Sequence, residues 1–168
     1  KNLETIEIPI ALHIVDDGTV QYTSTRDTNN IQDLIDKANQ LWEQANIQFT
    51  IEKIDVVTIE NKDFSKVFSG EVAGVTQRDD FVEGRINGYF ANYINANGVA
   101  FPPQGLFVIA DVTTVNDFRT TAHELGHLLG LHHTTARTDL MFKGSNGEFL
   151  SEDEITTARR NALRVYAR

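Results

Sequence analysis

The order of apolar patterns along the chain predicts an α/β domain, in which helices pack across one face of a mixed sheet. A segment of alternating apolar residues comes first, and a long stretch with helical spacing follows it. Shorter apolar runs then lead to two further segments with helical patterns. Because the 168 residues are 40% hydrophobic and contain no linker-like or repeated segment, we expect one domain spanning residues 1–168.

The first strand and the first helix have the most regular patterns. Residues 5–15 alternate isoleucine and leucine with other side chains, which is typical of a strand, and Pro9 is tolerable near an edge or an irregularity. Apolar residues at helical spacing across 31–45 predict a long amphipathic helix that packs on the sheet. Asn29 and Asn30 precede it and are its predicted N-caps.

Further strands are predicted from shorter segments, at 47–59, 85–95 and 105–110. Between the last two lies a short apolar run that ends in Pro102 and Pro103. Taken by itself, this run fits an ordinary edge strand that proline terminates. The strand at 105–110 leads into a second helix, with Asn116 or Asp117 as its cap and Gly130 as its stop.

A final helix is predicted over residues 151–167. Ser151 and Glu154 have the spacing of a capping box, and Leu150 can pack against Ile155 as a hydrophobic staple. The apolar side of this helix is continued by residues at helical spacing, namely Ala158, Ala162, Leu163 and Tyr166.

The acidic composition restricts the partners that we expect. A net charge of −9 would repel nucleic acids and anionic membrane surfaces, and no segment approaches the roughly 20 apolar residues that cross a bilayer. In the weakly patterned segment 61–84, Asp79, Asp80 and Glu83 fit either a solvated loop or part of a calcium site, although no EF-hand spacing is present. The chain has no cysteine, so it forms no disulfide.

The most specific chemical signal is the pattern HExxHxxGxxH, which begins at His123. Residues four apart lie on one face of a helix, so His123 and His127 can bind one Zn²⁺ while Glu124 reaches a water molecule beside the ion. Gly130 can adopt a positive φ and turn the chain back, which brings His133 to the ion as the third ligand. Three protein ligands and one open position are what zinc needs at a hydrolytic site.

Two other histidines are placed outside the predicted site. His132 is adjacent to the proposed third ligand and could bind zinc as well, but the spacing of the motif favours His133. His13 lies in an extended apolar run far upstream and is interpreted as an ordinary strand residue. The metal-binding face of the helix is opposite an apolar stripe, formed by Phe118, Ala122, Leu125 and Leu129.

The motif and the methionine that follows it resemble the metzincin clan of zinc endopeptidases, in its matrixin-like branch. Met141 is the only methionine in the chain, and its distance from His133 is similar to that in matrixins. The resemblance implies that His123, His127 and His133 bind zinc and that Glu124 is the general base and acid. Met141 would form the Met-turn, a hydrophobic floor beneath the metal.

Two residues distinguish this sequence from other branches of the clan. Lys143 stands where astacin-like enzymes have tyrosine, and Thr134 stands where adamalysin-like enzymes have aspartate. The chain differs from most matrixins in lacking a proline shortly after the methionine and the extra histidines of their structural zinc site. Because there is no cysteine, a cysteine switch cannot lie in these residues, so a propeptide or an inhibitor would have to be another segment or protein.

The resemblance also implies a fold and a substrate site. We expect a metzincin-like catalytic domain with a mostly parallel twisted sheet, an antiparallel edge strand, two long helices and a C-terminal helix. Residues 1–133 would form the upper subdomain and residues 134–168 the lower one. The edge strand, with Val99, Ala100 and Phe101, would pair with extended substrate through its main chain, and Phe142 and Lys143 would form a pocket wall.

The sequence therefore predicts a zinc-dependent endopeptidase, expected to be monomeric and, from the resemblance, secreted, with protein or peptide substrates. An alternative is a catalytically silent metzincin fold that uses a structural zinc and acts as a binding module. The intact Glu124 disfavours this alternative, because an inactive descendant has little reason to keep the base. A second alternative is a zinc hydrolase that acts on a non-peptide amide.

Overall fold

The computed structural model describes residues 3–167, so residues 1, 2 and 168 of the predicted domain lie outside the described residues. Its strands are β1 (Ile6–Asp16), β2 (Ile47–Thr58), β3 (Ile86–Ala91), β4 (Gly98–Phe101) and β5 (Leu106–Ala110). Its α-helices are α1 (Thr28–Trp42), α2 (Asn61–Lys66), α3 (Ala73–Thr76), α4 (Asp117–Leu128) and α5 (Glu152–Asn161).

The strands form a five-stranded sheet in the order β2-β1-β3-β5-β4. β1, β2, β3 and β5 are parallel, and β4 is antiparallel to β5. Every residue of β3 and β5 is buried, as expected for central strands of a sheet that is covered on both faces. This arrangement confirms the predicted mixed, mostly parallel sheet with an antiparallel edge.

Pro9 is accommodated because β1 does not pair on both sides along its whole length. Pairing with β2 begins at Ile6, whereas pairing with β3 begins only at Ile10. The missing N–H of Pro9 therefore removes no hydrogen bond to β3. A register shift between Ile10 and Ala11 follows directly, which agrees with the expected irregularity.

The prediction of the N-cap of α1 was wrong. The helix begins at Thr28, and the carboxylate of Asp27 accepts a hydrogen bond from the backbone N–H of Asn30 at 2.8 Å. Asn29 and Asn30 lie inside the first turn, where their side chains do not cap the helix. The apolar periodicity could not locate this start, because the first turn of α1 is exposed.

The strand predicted at 85–95 is shorter in the structure and ends at Ala91. The backbone N–H groups of Asn92 and Tyr93 donate to the carbonyl oxygens of Tyr22 and Gln21, at 3.1 and 3.0 Å, so this segment leaves the sheet. Leaving the sheet here carries the chain across the ends of the parallel strands and towards β4.

The segment 61–84, which has a weak pattern, contains the short helices α2 and α3. They are too short for helical periodicity to be visible, yet they bury Phe64 and Val75. Asp80 forms a salt bridge with Arg78 at 2.9 Å. Within residues 3–167, the acidic residues of this segment do not form a group that could hold a metal ion, so calcium binding here is unsupported.

The C-terminal helix begins with the predicted capping box, which is confirmed. Ser151 Oγ accepts from the N–H of Glu154, and Glu154 Oε1 accepts from the N–H of Ser151, at 3.1 and 3.0 Å. After Asn161 the helix continues as a π-helix, Ala162–Tyr166, in which Ala162 and Tyr166 are buried. Leu163, which was predicted to lie on the apolar side, is 60% exposed, because the buried residues follow a spacing of four through this π-helix.

Helices α1 and α4 pack on the same side of the sheet and share a buried core. The indole N–H of Trp42, at the end of α1, donates to the carbonyl oxygen of Ala122 in α4 at 3.1 Å. This bond satisfies the only donor of a fully buried indole and fixes α4 against α1. The helix that carries the HExxH residues is therefore fixed to α1 by a buried hydrogen bond as well as by apolar packing.

Among the helices of residues 3–167, none combines the length and the apolar character that crossing a membrane requires.

Candidate functional site

Helix α4 separates the side chains that hold the fold from those that face a cleft. Ala122, Leu125 and Leu129 are completely buried against the sheet and α1, and Phe118 packs at the margin of that core. The predicted apolar stripe is therefore present. Asn116 is the N-cap residue but makes no side-chain capping bond, while the Asp117 carboxylate accepts from the Arg26 guanidinium at 2.9 Å.

Two histidines of α4 are oriented by hydrogen bonds to backbone carbonyl oxygens. His123 Nδ1 lies 2.7 Å from the Leu140 oxygen, and His127 Nδ1 lies 2.8 Å from the Leu131 oxygen. Since a carbonyl oxygen can only accept, each Nδ1 carries the proton and each Nε2 keeps a lone pair. Both rings are therefore prepared to bind a metal through Nε2.

The turn at Gly130 brings His133 to the same place. Gly130 has a φ of 89°, and a Cβ there would lie 2.3 Å from Asn161 Nδ2, which donates to the Leu129 carbonyl. Only glycine fits both the backbone conformation and this contact with α5. Beyond the turn, His133 Nε2 lies 3.2 Å from His127 Nε2.

The chemistry of this donor set fits zinc. The ligand atoms of His123, His127 and His133 all lie within 4.8 Å of one another. Two nitrogens that bind one tetrahedral zinc at about 2.0–2.1 Å are about 3.3 Å apart, which is close to the His127–His133 separation. The structure thus brings together the three histidines that the motif predicts as ligands.

His132 and His13 lie apart from this group. His132 is exposed beside His133. His13 is buried in β1, where its ring nitrogens are hydrogen-bonded to Asp55 and Asn87 and its ring stacks on Tyr89 at 4.5 Å. Within residues 3–167, the only histidine, aspartate or glutamate group that could hold a metal is the set His123, His127 and His133.

Met141 is buried beneath α4, where Gly126 makes room for it. A Cβ on Gly126 would lie 2.5 Å from Met141 Sδ, so the methionine packs directly on the helix backbone between the two histidines of α4. The carbonyl oxygen of Met141 accepts from the N–H of Thr134, at 3.1 Å, next to His133. The methionine therefore links the turn that carries the third histidine to the underside of the helix.

Arg119 was missed in the sequence, although it organises the loop that follows the histidines. Its Nε donates to the carbonyl oxygen of Gly147 at 2.9 Å, and its Nη2 has acceptors in Asp139, Leu140, Phe142 and Ser145. Its position in the sequence could have identified it, because Arg119 precedes His123 by four residues and therefore lies on the same face of the helix. The acceptors are mostly backbone atoms, which the sequence does not reveal.

Glu124 is buried at the cleft, with 7% of its surface exposed. A Cβ placed on Gly98 would lie 3.1 Å from Glu124 Cγ, so the first residue of β4 packs against the stem of the glutamate side chain. Burial raises the pKa of Glu124 to about 8, although the guanidinium of Arg119 lowers it in opposition. A carboxyl group with a pKa in this range can accept and return a proton near neutral pH.

The pKa values of His123, His127 and His133 are all lowered, so these three rings favour the neutral form that binds metal. Burial lowers the pKa of His123 to about 4, while its bond to the Leu140 carbonyl raises it in opposition. Burial also lowers the pKa of His127, and its bond to Leu131 opposes the shift. For His133, burial is again the main cause, and the charges of Lys143 and Arg119 lower the pKa further.

A cavity of about 600 Å³ lies in front of these residues. Of the residues predicted to contact substrate, Val99, Ala100 and Lys143 line this cavity. Phe101 instead packs against a separate buried cluster that includes Leu106 and Val108, and Phe142 packs beside Arg137, whose guanidinium carbon lies 5.6 Å from the ring centre. β4 is the last strand of the sheet, and its residues form one wall of the cleft.

Comparison with known proteins gives matches over most of the chain. The family model described as Matrixin matches residues 18–160. Matrix metalloproteinase-27 of Tupaia belangeri is 30% identical over an alignment of 135 positions, which covers 73% of this chain and 23% of that protein. The chain thus spans less than a quarter of that relative.

Solved structures share the fold at low sequence identity. A chain in a chaperone–substrate complex matches with a TM-score of 0.68 and 14% identity, over 98% of this chain and 36% of that one. Archaemetzincin from Methanopyrus kandleri matches with a TM-score of 0.63 and 13% identity, over 95% of this chain and 97% of that one.

The contact between Gly126 and Met141 predicts that Gly126→Ala destabilises the protein by about 1–3 kcal/mol, because the new methyl group forces the buried methionine to move. The free energy of unfolding, measured by urea denaturation, tests this. Gly74→Ala is the matched control, since its Cβ would make only an ordinary 3.4 Å contact with Asp63. Equal stability of the two variants would contradict the packing described for Met141.

The raised pKa of Glu124 predicts a pH dependence of stability in the metal-free protein. Between 4.5, the ordinary value, and about 8, unfolding releases a proton from Glu124, so its contribution to stability falls as the pH rises. As the pH rises towards 8, the free energy of unfolding of metal-free Glu124→Gln should therefore increase relative to that of wild type. The increase should be at most about 1.4 kcal/mol per pH unit.

Denaturant titrations of chelator-treated protein between pH 6.5 and 8.5 measure this difference. These pH values avoid the titration of His123. Because burial lowers its pKa from 6.5 to about 4, His123 reduces the free energy of unfolding only as the pH falls below 6.5. Glu71→Gln, at an exposed glutamate, controls for the loss of one negative charge. A difference between Glu124→Gln and wild type that does not change with pH would contradict the described environment of Glu124.

Proposed function

This chain belongs to the matrixin family, and from that premise we propose that it is a zinc-dependent endopeptidase that hydrolyses peptide bonds of proteins or peptides. The observation that carries the proposal is the convergence of three histidine rings and the buried Glu124 on one cleft. As part of the same proposal, the protein is monomeric and, as the family resemblance implies, secreted.

In this proposal His123, His127 and His133 hold one zinc ion through their Nε2 atoms, and Met141 packs beneath it. Bound there, zinc would act as a Lewis acid towards the scissile carbonyl and would make water more acidic. The backbone carbonyls of Leu140 and Leu131 keep two of the rings in the required tautomer. Three protein ligands leave one position open, as a hydrolytic site requires.

Glu124 is proposed as the general base and acid. It follows His123 directly on α4, so its carboxylate and the histidine nitrogens face the same cleft. The carboxylate takes a proton from the attacking water and later gives it to the departing amine nitrogen. Its low exposure favours this role, since a desolvated carboxylate binds a proton more tightly than one in water.

Strand β4 is proposed to position the substrate. Among the strands of residues 3–167 it pairs only with β5, so its other edge has backbone groups that an extended peptide can bind as an added strand. Gly98 allows this edge to approach Glu124 closely. A substrate held on β4 would therefore present its backbone carbonyl to the histidine cluster.

The proposal predicts that Glu124→Gln loses activity by roughly 100- to 10,000-fold while retaining zinc, because only proton transfer is removed. Wild type and variant, both shown to contain zinc, are incubated with an unfolded protein mixture, and mass spectrometry identifies the new termini. Near-normal turnover by the variant would overturn the role of Glu124. A zinc-containing wild type that cleaves nothing would instead favour a catalytically silent binding module.

The ligand assignment predicts different effects for two adjacent histidines. His133→Ala should weaken zinc affinity by more than the roughly 100-fold that loss of an outer partner costs, because a ligand itself is removed. His132→Ala is the matched control and should keep near-normal affinity. Competition with a zinc-binding indicator measures both, and the reverse ranking would make His132 the third ligand.

A further inference from the structure

Two cations of the cleft lack carboxylate partners. Lys143 is exposed on the cleft wall, and Arg119 is a lining residue with only 2% of its surface exposed. Within residues 3–167, neither forms a salt bridge. Glu124 is the only carboxylate that lines the cavity, although the whole chain has a net charge of −9. The cleft therefore differs in charge from the rest of the protein.

Arg119 does not use all its donors within the protein. Its Nε and Nη2 atoms are directed at neutral oxygen atoms of the loop 139–147. In the part of the chain that the structure describes, Nη1 makes no hydrogen bond, and it is not among the fully buried polar atoms without a partner. Since Arg119 lines the cavity, Nη1 is the guanidinium nitrogen available to a ligand there.

Thr120, the next residue of α4, provides a second unused polar group in the wall of the cavity. The residue is 3% exposed and lines the cavity, and its Oγ1 is buried without a hydrogen-bond partner among residues 3–167. Its methyl group lies on the side of Gly98. Because this oxygen has no exposed surface, it would reach a ligand only after the threonine side chain rotates, and that contact would recover the free energy that an unpaired buried hydroxyl costs.

We propose that Arg119, Thr120 and Lys143 form a carboxylate-binding pocket that recognises an acidic side chain on the residue following the cleaved bond. This inference rests on the proposed peptidase function. Arg119 precedes His123 by one turn of α4, which is about 6 Å along the helix axis. That distance suits a side chain on a residue adjacent to the bond held at the histidines, since neighbouring Cα atoms are about 3.8 Å apart.

A carboxylate could also come from the free C-terminus of a peptide. The same donors would bind it, and the enzyme would then remove short segments from chain ends. The test therefore uses four otherwise identical peptides, with glutamate or glutamine after the cleaved bond, and with a free or an amidated C-terminus placed close to it. A peptide with leucine at the varied position provides an apolar comparison.

For zinc-loaded wild type, kcat/KM should be at least about tenfold higher for the glutamate peptide than for the glutamine peptide, both amidated, because a charged hydrogen-bonded pair is formed. The ratio within one enzyme is independent of the active fraction. Equal rates, or faster cleavage of the leucine peptide, would overturn the proposal. If only the peptides with a free C-terminus are cleaved faster, the pocket binds the terminal carboxylate. This result would overturn the assignment to an acidic side chain.

Variants distinguish the pocket from a general charge effect. Lys143→Met should reduce the glutamate-to-glutamine ratio several-fold, and Lys66→Met, which removes an exposed lysine outside the cleft, should leave it unchanged. Arg119→Lys keeps the charge but loses Nη1, so it should also reduce the ratio. Because Arg119 supports the loop, only the ratio, and not the absolute rate, is used for that variant.

If zinc-loaded wild type cleaves none of the peptides, the proposed function fails, and binding tests the pocket separately. Calorimetry then compares the affinities of the amidated glutamate and glutamine peptides for wild type, Lys143→Met and Lys66→Met. Tighter binding of the glutamate peptide that is lost only in Lys143→Met would support the pocket. Equal affinities, or a preference that Lys143→Met retains, would overturn it.

Discussion

The carbonyl oxygen of Leu140 accepts hydrogen bonds from both His123 and Arg119, at 2.7 and 2.6 Å, and the geometry of the cleft depends on this shared acceptor. The bond to His123 fixes the ring and its tautomer, and the bond to Arg119 holds the loop that supplies the carbonyl. Because both donors lie on one face of α4, the helix determines the position of a loop that follows it by a dozen residues or more. The orientation of the His123 ring and the shape of the pocket are therefore not independent of each other.

Three close approaches around α4 occur at glycines. The lack of a side chain at Gly126 allows Met141 to pack on α4. At Gly98 it allows β4 to approach Glu124, and at Gly130 it allows the end of α5 to contact the turn. At each position a Cβ would meet atoms at 3.1 Å or less. The packing of Gly98 on the stem of Glu124 helps to keep water from this side chain, and its burial raises the pKa of the group.

Features encoded in side-chain spacing were predictable, and those that depend on backbone positions were not. The HExxH helix, the order of strands and helices along the chain, and the capping box of Ser151 and Glu154 follow from local patterns. The hydrogen bonds of Arg119 end on backbone oxygens of a distant loop, which any sequence could provide. The end of β3 at Ala91 likewise depends on carbonyls of the segment near Tyr22, and the Asp27 cap lies on an exposed turn without apolar pattern.

The contact of Asn161 with the turn at Gly130 has a consequence for the order in which the protein is assembled. Chains are synthesised from the N-terminus, so the sheet, α1 and α4 can associate before residue 161 has been made. His123 and His127 are then already in place, whereas the turn leading to His133 lacks the amide that seals it. We therefore expect the third nitrogen to reach its position beside the other two only after α5 has packed on this turn.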